Sequence, residues 1–240
     1  MKTLILIAAL CLPDMAFSQT TQTHTHDTGL GFIAFGLNHT DWETMPVNVK
    51  TQFNSSGYYA EDMNEYYFNK TNPKWCIGFG FIASYDVVSS NAMLNTDASG
   101  KSILTIIPSG TNYITNTISI ASGGIPIEIH YNIPLGKKGN SKFFVGAGYI
   151  LQYVGDVQTS YTTKGDTSIV VNYNNTKNMH LFMQEIRGKA GFGFRLKNRR
   201  WLYLAIDGFY GLNSIFKNND GPNLVPYSFG ASLGLNLWNE

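Results

Sequence analysis

The sequence predicts an all-β fold: an eight-stranded antiparallel transmembrane β-barrel of the outer-membrane type. Three observations carry this. From Ile125 to Trp238, apolar residues alternate with small or polar ones, the period of a strand with two unlike faces. Charged residues make up 14% of the chain and aromatics another 14%, whereas a typical soluble protein is about 25% charged. A secretory leader stands in front: Lys2, the apolar run Leu4 to Leu12, and the small-x-small site Ala16-Phe17-Ser18. An apolar outside around a polar inside is what a strand wall needs in lipid.

The domain boundaries follow. Residues 1–18 read as a signal peptide, 19–27 as a flexible N-terminal arm, and 28–240 as the barrel. Pro13 and Asp14 end the apolar run before it reaches the length of a membrane span. A lipoprotein reading of Cys11 is disfavoured by Leu10, where a small residue is usual. Loss of the leader leaves Cys76 as the single cysteine, so no intramolecular disulfide is expected. It also removes Lys2 and Asp14 together, and the net charge stays +1. So balanced a charge argues against nucleic acid as a partner.

Eight candidate strands lie near 28–38, 75–86, 101–108, 117–133, 143–155, 181–195, 201–213 and 227–238. The first is rich in glycine (Gly29, Gly31, Gly36), which leaves its facing open. In the second, Ile77, Phe79, Phe81, Ala83 and Tyr85 share the outer face, and Gly78, Gly80, Ser84 and Asp86 the inner one. The third has the weakest pattern. In the fourth, Ile125, Ile127, Ile129, Tyr131 and Ile133 alternate with Pro126, Glu128, His130 and Asn132. The fifth sets Phe143, Val145, Ala147, Tyr149, Leu151 and Tyr153 outward and Phe144, Gly146, Gly148 and Gln152 inward. The sixth turns Glu185, Arg187, Lys189 and Gly191 inward. The seventh brings Asp207 to the interior. The eighth sets Tyr227, Phe229, Ala231, Leu233, Leu235 and Leu237 outward against Ser228, Gly230, Ser232, Gly234 and Asn236. Small inward residues let the walls of a narrow barrel close on one another.

The connections are uneven. Links 39–74, 156–180 and 214–226 are long and polar, while 134–142 and 196–200 are short. Outer-membrane barrels keep long loops outside and short turns in the periplasm. With residue 19 in the periplasm, the long links fall outside, and link 87–100 is expected in the periplasm as the exception. No internal repeat is evident.

The stretch Gly124-Ile125-Pro126-Ile127-Glu128-Ile129 to Phe143-Phe144-Val145-Gly146-Ala147-Gly148-Tyr149 resembles the PorT-like outer-membrane β-barrel family. The resemblance continues through Gly188-Lys189-Ala190-Gly191-Phe192-Gly193 and Tyr210-Gly211-Leu212-Asn213-Ser214-Ile215. It covers roughly 115–240, and the N-terminal half only by strand spacing. It implies an outer-membrane location and an eight-stranded barrel, without fixing a biochemical role. Asp207 stands where that family often has an arginine before the Tyr-Gly-Leu, so an interior charge pattern copied from the family would not apply.

The chemistry-bearing residues gather inside. Glu128, His130, Glu185, Arg187, Lys189 and Asp207 are expected to share one lumen as a charge network. Opposite charges in so narrow a space must pair, because an isolated buried ion is costly. The network reads first as a salt-bridge plug and second as a gated path for small solutes. Outside, the first loop offers aromatics, with Trp42, Tyr58, Tyr59, Tyr66 and Tyr67 as candidate contact residues beside Phe53 and Phe68. A rim hydrolase would need Ser, His and an acid within hydrogen-bond reach. His39, His180, Ser214 and Asp156 lie near strand ends, with no motif tying them together. His24, His26 and Asp27 on the arm amount to a partial metal site at most. Lys137, Lys138, Lys142, Lys197, Arg199 and Arg200 read as solvated turn charges.

The expected function is therefore a non-enzymatic envelope protein, structural or binding through its loops. The expected surroundings are outer-membrane lipid and an unidentified extracellular or periplasmic protein partner. No catalytic, cofactor or metal residues are assigned. A small-solute channel and a rim hydrolase are the alternatives. A soluble β-sandwich is a further one, since alternation alone does not tell lipid from a second sheet.

Overall fold

A computed structural model describes residues 29–42, 56–68, 74–96, 98, 102–106, 113–136, 139–163, 173–174, 179–196, 200–217 and 225–236. The leader, the arm with His24, His26 and Asp27, and residues Phe53, Lys137, Lys138, Lys197 and Arg199 lie outside the described residues.

The strands are β1 (Gly29–Trp42), β2 (Ser56–Tyr67), β3 (Trp75–Ser90), β4 (Ala92–Thr96), β5 (Ser102–Ile106), β6 (Tyr113–Leu135), β7 (Ser141–Thr163), β8 (Tyr173–Asn174), β9 (Phe182–Arg195), β10 (Trp201–Gly211) and β11 (Pro226–Asn236). Eight of them close into a ring in the order β1-β2-β3-β6-β7-β9-β10-β11, with β11 returning to β1, and every pairing is antiparallel.

The register fixes the barrel's dimensions. From Tyr131 the pairings run Val145, Ala190, Ile206, Ala231, Leu37, Tyr58, Tyr85 and back to β6 at Ala121, ten residues from the start. A stagger of that size over eight strands tilts them by about 40° and leaves an interior that side chains can fill.

The count of eight holds, but one member of the wall differs from expectation. The candidate strand at 101–108 is β5, which pairs only with β4 in a separate hairpin. Five residues do not span a membrane, where a tilted strand needs about nine to eleven. The missing wall strand is β2, inside the stretch read as a long outer loop. It bonds to β1 on one side and β3 on the other. Its sequence hides this because acids stand on both faces and the outer face is not apolar. Tyr59, Glu61, Met63 and Glu65 are buried, while Asp62 and Asn64 stand half-buried between the exposed Tyr58 and Tyr66.

With β2 in place the connections sort cleanly. The short links 68–74, 136–140 and 196–200 share one end, and the longer ones share the other. Link 87–100 is corrected accordingly: β3 runs to Ser90 and the β4–β5 hairpin follows at the long-loop end, not at the periplasmic one.

The outer face agrees with the pattern read from β3, β6, β7, β9, β10 and β11. Phe79, Phe81, Ile125, Ile127, Ile129, Val145, Leu151, Ile186, Leu204, Ile206 and Leu233 are all exposed. The aromatics gather in two girdles. Tyr66, Trp75 and Tyr131 lie toward the short turns, and Tyr58, Tyr85 and Tyr210 toward the long loops. With the tilt above, the girdles stand roughly 20–25 Å apart, close to the apolar band of a transmembrane barrel. A bulge at Gly155, where Ala121 pairs with Asp156 and Ser122 with Val154, shifts the inward set of β7 from Val154 to Val157 and Thr159.

Candidate functional site

The lumen is packed in three layers. At the short-turn end lie Met63, Phe144, Trp201, Tyr203 and Ala205. Lys142 belongs here and is corrected from a solvated turn charge. It is 7% exposed, with Nζ 5.1 Å from the Trp201 ring centre and 5.0 Å from that of Tyr203. The first inward position of β7 directs it into the barrel, and the rings take up its charge.

The middle layer is the charge network. Arg187 Nη1 donates to Glu61 and, at 2.7 Å, to Glu128 Oε1. Its Nη2 donates to the Tyr59 hydroxyl at 2.7 Å and to Asp207 Oδ1 at 2.8 Å. The guanidinium carbon also lies 5.0 and 4.8 Å from the ring centres of Tyr59 and Phe209, which pack edge to face with their centres 5.3 Å apart. Lys189 Nζ donates to Glu61 Oε1 at 2.7 Å, and Ser232 Oγ to Asp207 Oδ2 at 2.5 Å. His130 stands between two carboxylates, with Nδ1 2.8 Å from Glu65 Oε1 and Nε2 2.7 Å from Glu128 Oε2. Both neighbours are acceptors, so the doubly protonated ring satisfies both. Glu185 accepts from Gln152 Nε2 at 2.7 Å, and Gln152 Oε1 accepts from Ser122 Oγ.

Glycine makes room for this layer. A Cβ on Gly146 would lie 2.9 Å from His130 Nε2, and one on Gly148 would lie 2.5 Å from Glu128 Cγ. The inward glycines of β7 are thus the spaces into which two network side chains fold.

The third layer, at the long-loop end, is apolar. Val88, Ile118, Ile120, Val154, Val157, Met179, Met183, Ile215 and Phe216 form one buried cluster. Chain segments cross over it, with Met179 bridging to Phe216 and His180 N–H donating to the Ile215 carbonyl at 2.8 Å. Between this layer and the charges, a small cavity of about 20 Å³ beside Glu185 and Gln152 has room for water.

Glu128, His130, Glu185, Arg187, Lys189 and Asp207 are therefore all placed inside, each 7% exposed or less. The sequence alone does not reveal Glu61 and Glu65, nor the inward place of Tyr59, which close the same network, because β2 lies in a stretch that reads as a loop. A signal was present: Tyr59, Glu61, Met63, Glu65 and Tyr67 recur with period two.

The outer-loop aromatics are corrected in the same way. Tyr58, Tyr59, Tyr66 and Tyr67 sit on β2. Tyr59 is 3% exposed inside the lumen, and the Tyr67 hydroxyl donates to Glu65 Oε2 at 3.0 Å. Tyr58 and Tyr66 belong to the outer girdles, Tyr66 stacked on Phe79 with ring centres 5.1 Å apart. Trp42 ends β1 opposite Pro226, at the long-loop end. Three of the candidate hydrolase residues have other partners. His39 pairs with Phe229 in the wall, Asp156 accepts from Gln158 Nε2 at 2.7 Å, and Ser214 Oγ accepts from Phe216 N–H at 3.2 Å.

A closed eight-stranded ring, an apolar belt between aromatic girdles and a polar packed lumen define the class: an antiparallel transmembrane β-barrel of the outer-membrane type. No family model matches the chain, and no curated protein matches it either. Solved structures resemble it in outline. Neisserial surface protein A shares 13% identity, covering 88% of this chain and 100% of that one, with a TM-score of 0.41. The outer-membrane protein OprG from Pseudomonas aeruginosa shares 12%, covering 90% and 98%, with a TM-score of 0.37. The Yersinia pestis attachment invasion locus protein Ail, in complex with a heparin analogue, shares 11%, covering 87% and 99%, with a TM-score of 0.33. The assignment of class rests on the strand pairing and the belt of this chain itself.

Proposed function

We propose that this chain is an integral outer-membrane protein with a non-conducting barrel, exported by a cleaved leader over residues 1–18, whose role is structural or is exerted by binding at the long-loop end. A PorT-like kinship is part of this reading. The observation that carries it is the three-layer lumen. Arg187 spans the interior between β2, β6, β9 and β10, and an apolar cluster lies above it. A barrel filled in this way serves as a rigid pedestal, and recognition then falls to the connections at its rim.

The test is fractionation followed by electrophoresis with and without boiling, then planar-bilayer recording. The expected outcome is extraction from the outer membrane only by detergent, a folded band that shifts on boiling, and no unitary current. Stable single-channel steps that change when Arg187 is replaced would replace this reading with that of a small-solute channel. A protein that stays soluble without detergent would refute the membrane assignment.

A further inference from the structure

At the short-turn side of the network, three adjacent strands bring together the donor set of a transition-metal site. Glu65 comes from β2, Cys76 from β3 and His130 from β6, and one donor atom of each lies within 4.8 Å of the others. All three are buried, at 3%, 0% and 1% exposure. Each also has a further partner that orients it. Glu128 Oε2 accepts from His130 Nε2 at 2.7 Å, which leaves Nδ1 facing Glu65. The Tyr67 hydroxyl donates to Glu65 Oε2 at 3.0 Å, leaving Oε1 turned to the cluster. Asn132 Nδ2 lies 3.6 Å from Cys76 Sγ, a donor placed to support a thiolate. A carboxylate behind a ligating histidine and hydrogen bonds on the other ligands are what surround protein metal centres.

We propose that Glu65 Oε1, Cys76 Sγ and His130 Nδ1 bind one divalent transition-metal ion of the zinc class. Sulfur, imidazole and carboxylate together match the borderline-soft preference of zinc and exclude magnesium and calcium, which take oxygen alone. Donors around a tetrahedral zinc lie about 3.3–3.8 Å apart, so modest side-chain rotations convert the observed cluster into a site. Binding displaces two protons: one from the Cys76 thiol, one from His130 Nδ1. Nε2–H continues to donate to Glu128. The ion then takes over the charge that the imidazolium brings between Glu65 and Glu128, and ties β2, β3 and β6 together from within. The inference stands independently of whether the rim binds a partner.

The test uses the full mature chain, folded in detergent with and without cobalt(II) as a spectroscopic probe. The expected result is one cobalt per chain, a near-ultraviolet thiolate-to-cobalt band and visible bands of tetrahedral intensity. Zinc in excess abolishes all of them. Cys76→Ser should remove the near-ultraviolet band and weaken binding at least tenfold, and His130→Asn should weaken it similarly. A His24→Ala/His26→Ala variant should bind as the parent does. The shift of the folded band on boiling confirms that each variant is folded. If Cys76→Ser proves unfolded, a rise in the urea midpoint of the parent chain on adding zinc, lost in His130→Asn, provides the second readout. Absence of cobalt bands in the folded parent, absence of stabilisation by zinc, or unchanged binding by Cys76→Ser would overturn the proposal.

Discussion

Replacing Arg187 by Met is the sharpest perturbation of the lumen. The guanidinium is 3% exposed and donates to Glu61, Glu128, Asp207 and Tyr59. Methionine keeps the stem's volume and the contact with Phe209, but leaves three carboxylates facing one another around an apolar thioether. Summing charged hydrogen bonds at about 1.5–3 kcal/mol each would overshoot, because the acids relax toward Lys189 and the remaining donors. Removal of one partner from a buried ionic cluster costs about 3–5 kcal/mol. At a urea dependence of about 2 kcal/mol per molar, the unfolding midpoint should fall by roughly 2 M. The assay is urea unfolding of the detergent-folded barrel, followed by tryptophan fluorescence and by loss of the heat-modifiable band. Adding Glu61→Gln and Glu128→Gln should recover part of the loss, since it removes two of the stranded charges. A midpoint within about 0.5 M of the parent at unchanged slope, a difference of about 1 kcal/mol, would refute the view that Arg187 organises the interior.

Four further outcomes are expected. Gly146→Val should destabilise the barrel by about 1–3 kcal/mol through overpacking against His130. Gly188→Ala, where nothing lies within 4 Å of the added carbon, should leave the urea midpoint unchanged. Ile206, 68% exposed near mid-belt, should cost about 2–4 kcal/mol when changed to Arg, measured as refolding yield and stability in lipid vesicles; a neutral effect would argue against lipid on that face. In a Cys76→Ser background, a cysteine at the exposed Ala98 should react with an impermeant maleimide on intact cells, and one at Asn140 should not. The reverse pattern would invert the assigned orientation.

Much of this architecture is legible in the chain because lipid and a packed lumen impose opposite chemistries on alternate residues. Ile125 to Ile133 and Phe143 to Tyr153 each show the alternation directly, and their faces follow from it. Glu185, Arg187 and Lys189 at spacing two already mark an ionic interior. β2 shows where this reasoning stops. Its outer face carries Asp62 and Asn64, and its inner face carries Glu61 and Glu65, so apolar alternation has nothing to detect. Its place in the wall is determined by pairing with β1 and β3, a long-range property. The hairpin of β4 and β5 is the converse, strand-like in sequence but excluded from the wall by its length.

The sequence by itself determined the fold class, seven of the eight wall strands and which face of most of them meets lipid, because these depend on a period of two that local chemistry writes into the chain. Only the tertiary structure decided which segment is the eighth strand, which acid faces which base, and that Glu65, Cys76 and His130 converge. Those depend on the ten-residue stagger around the ring, which brings together residues 65 positions apart and is set by closure of the whole barrel.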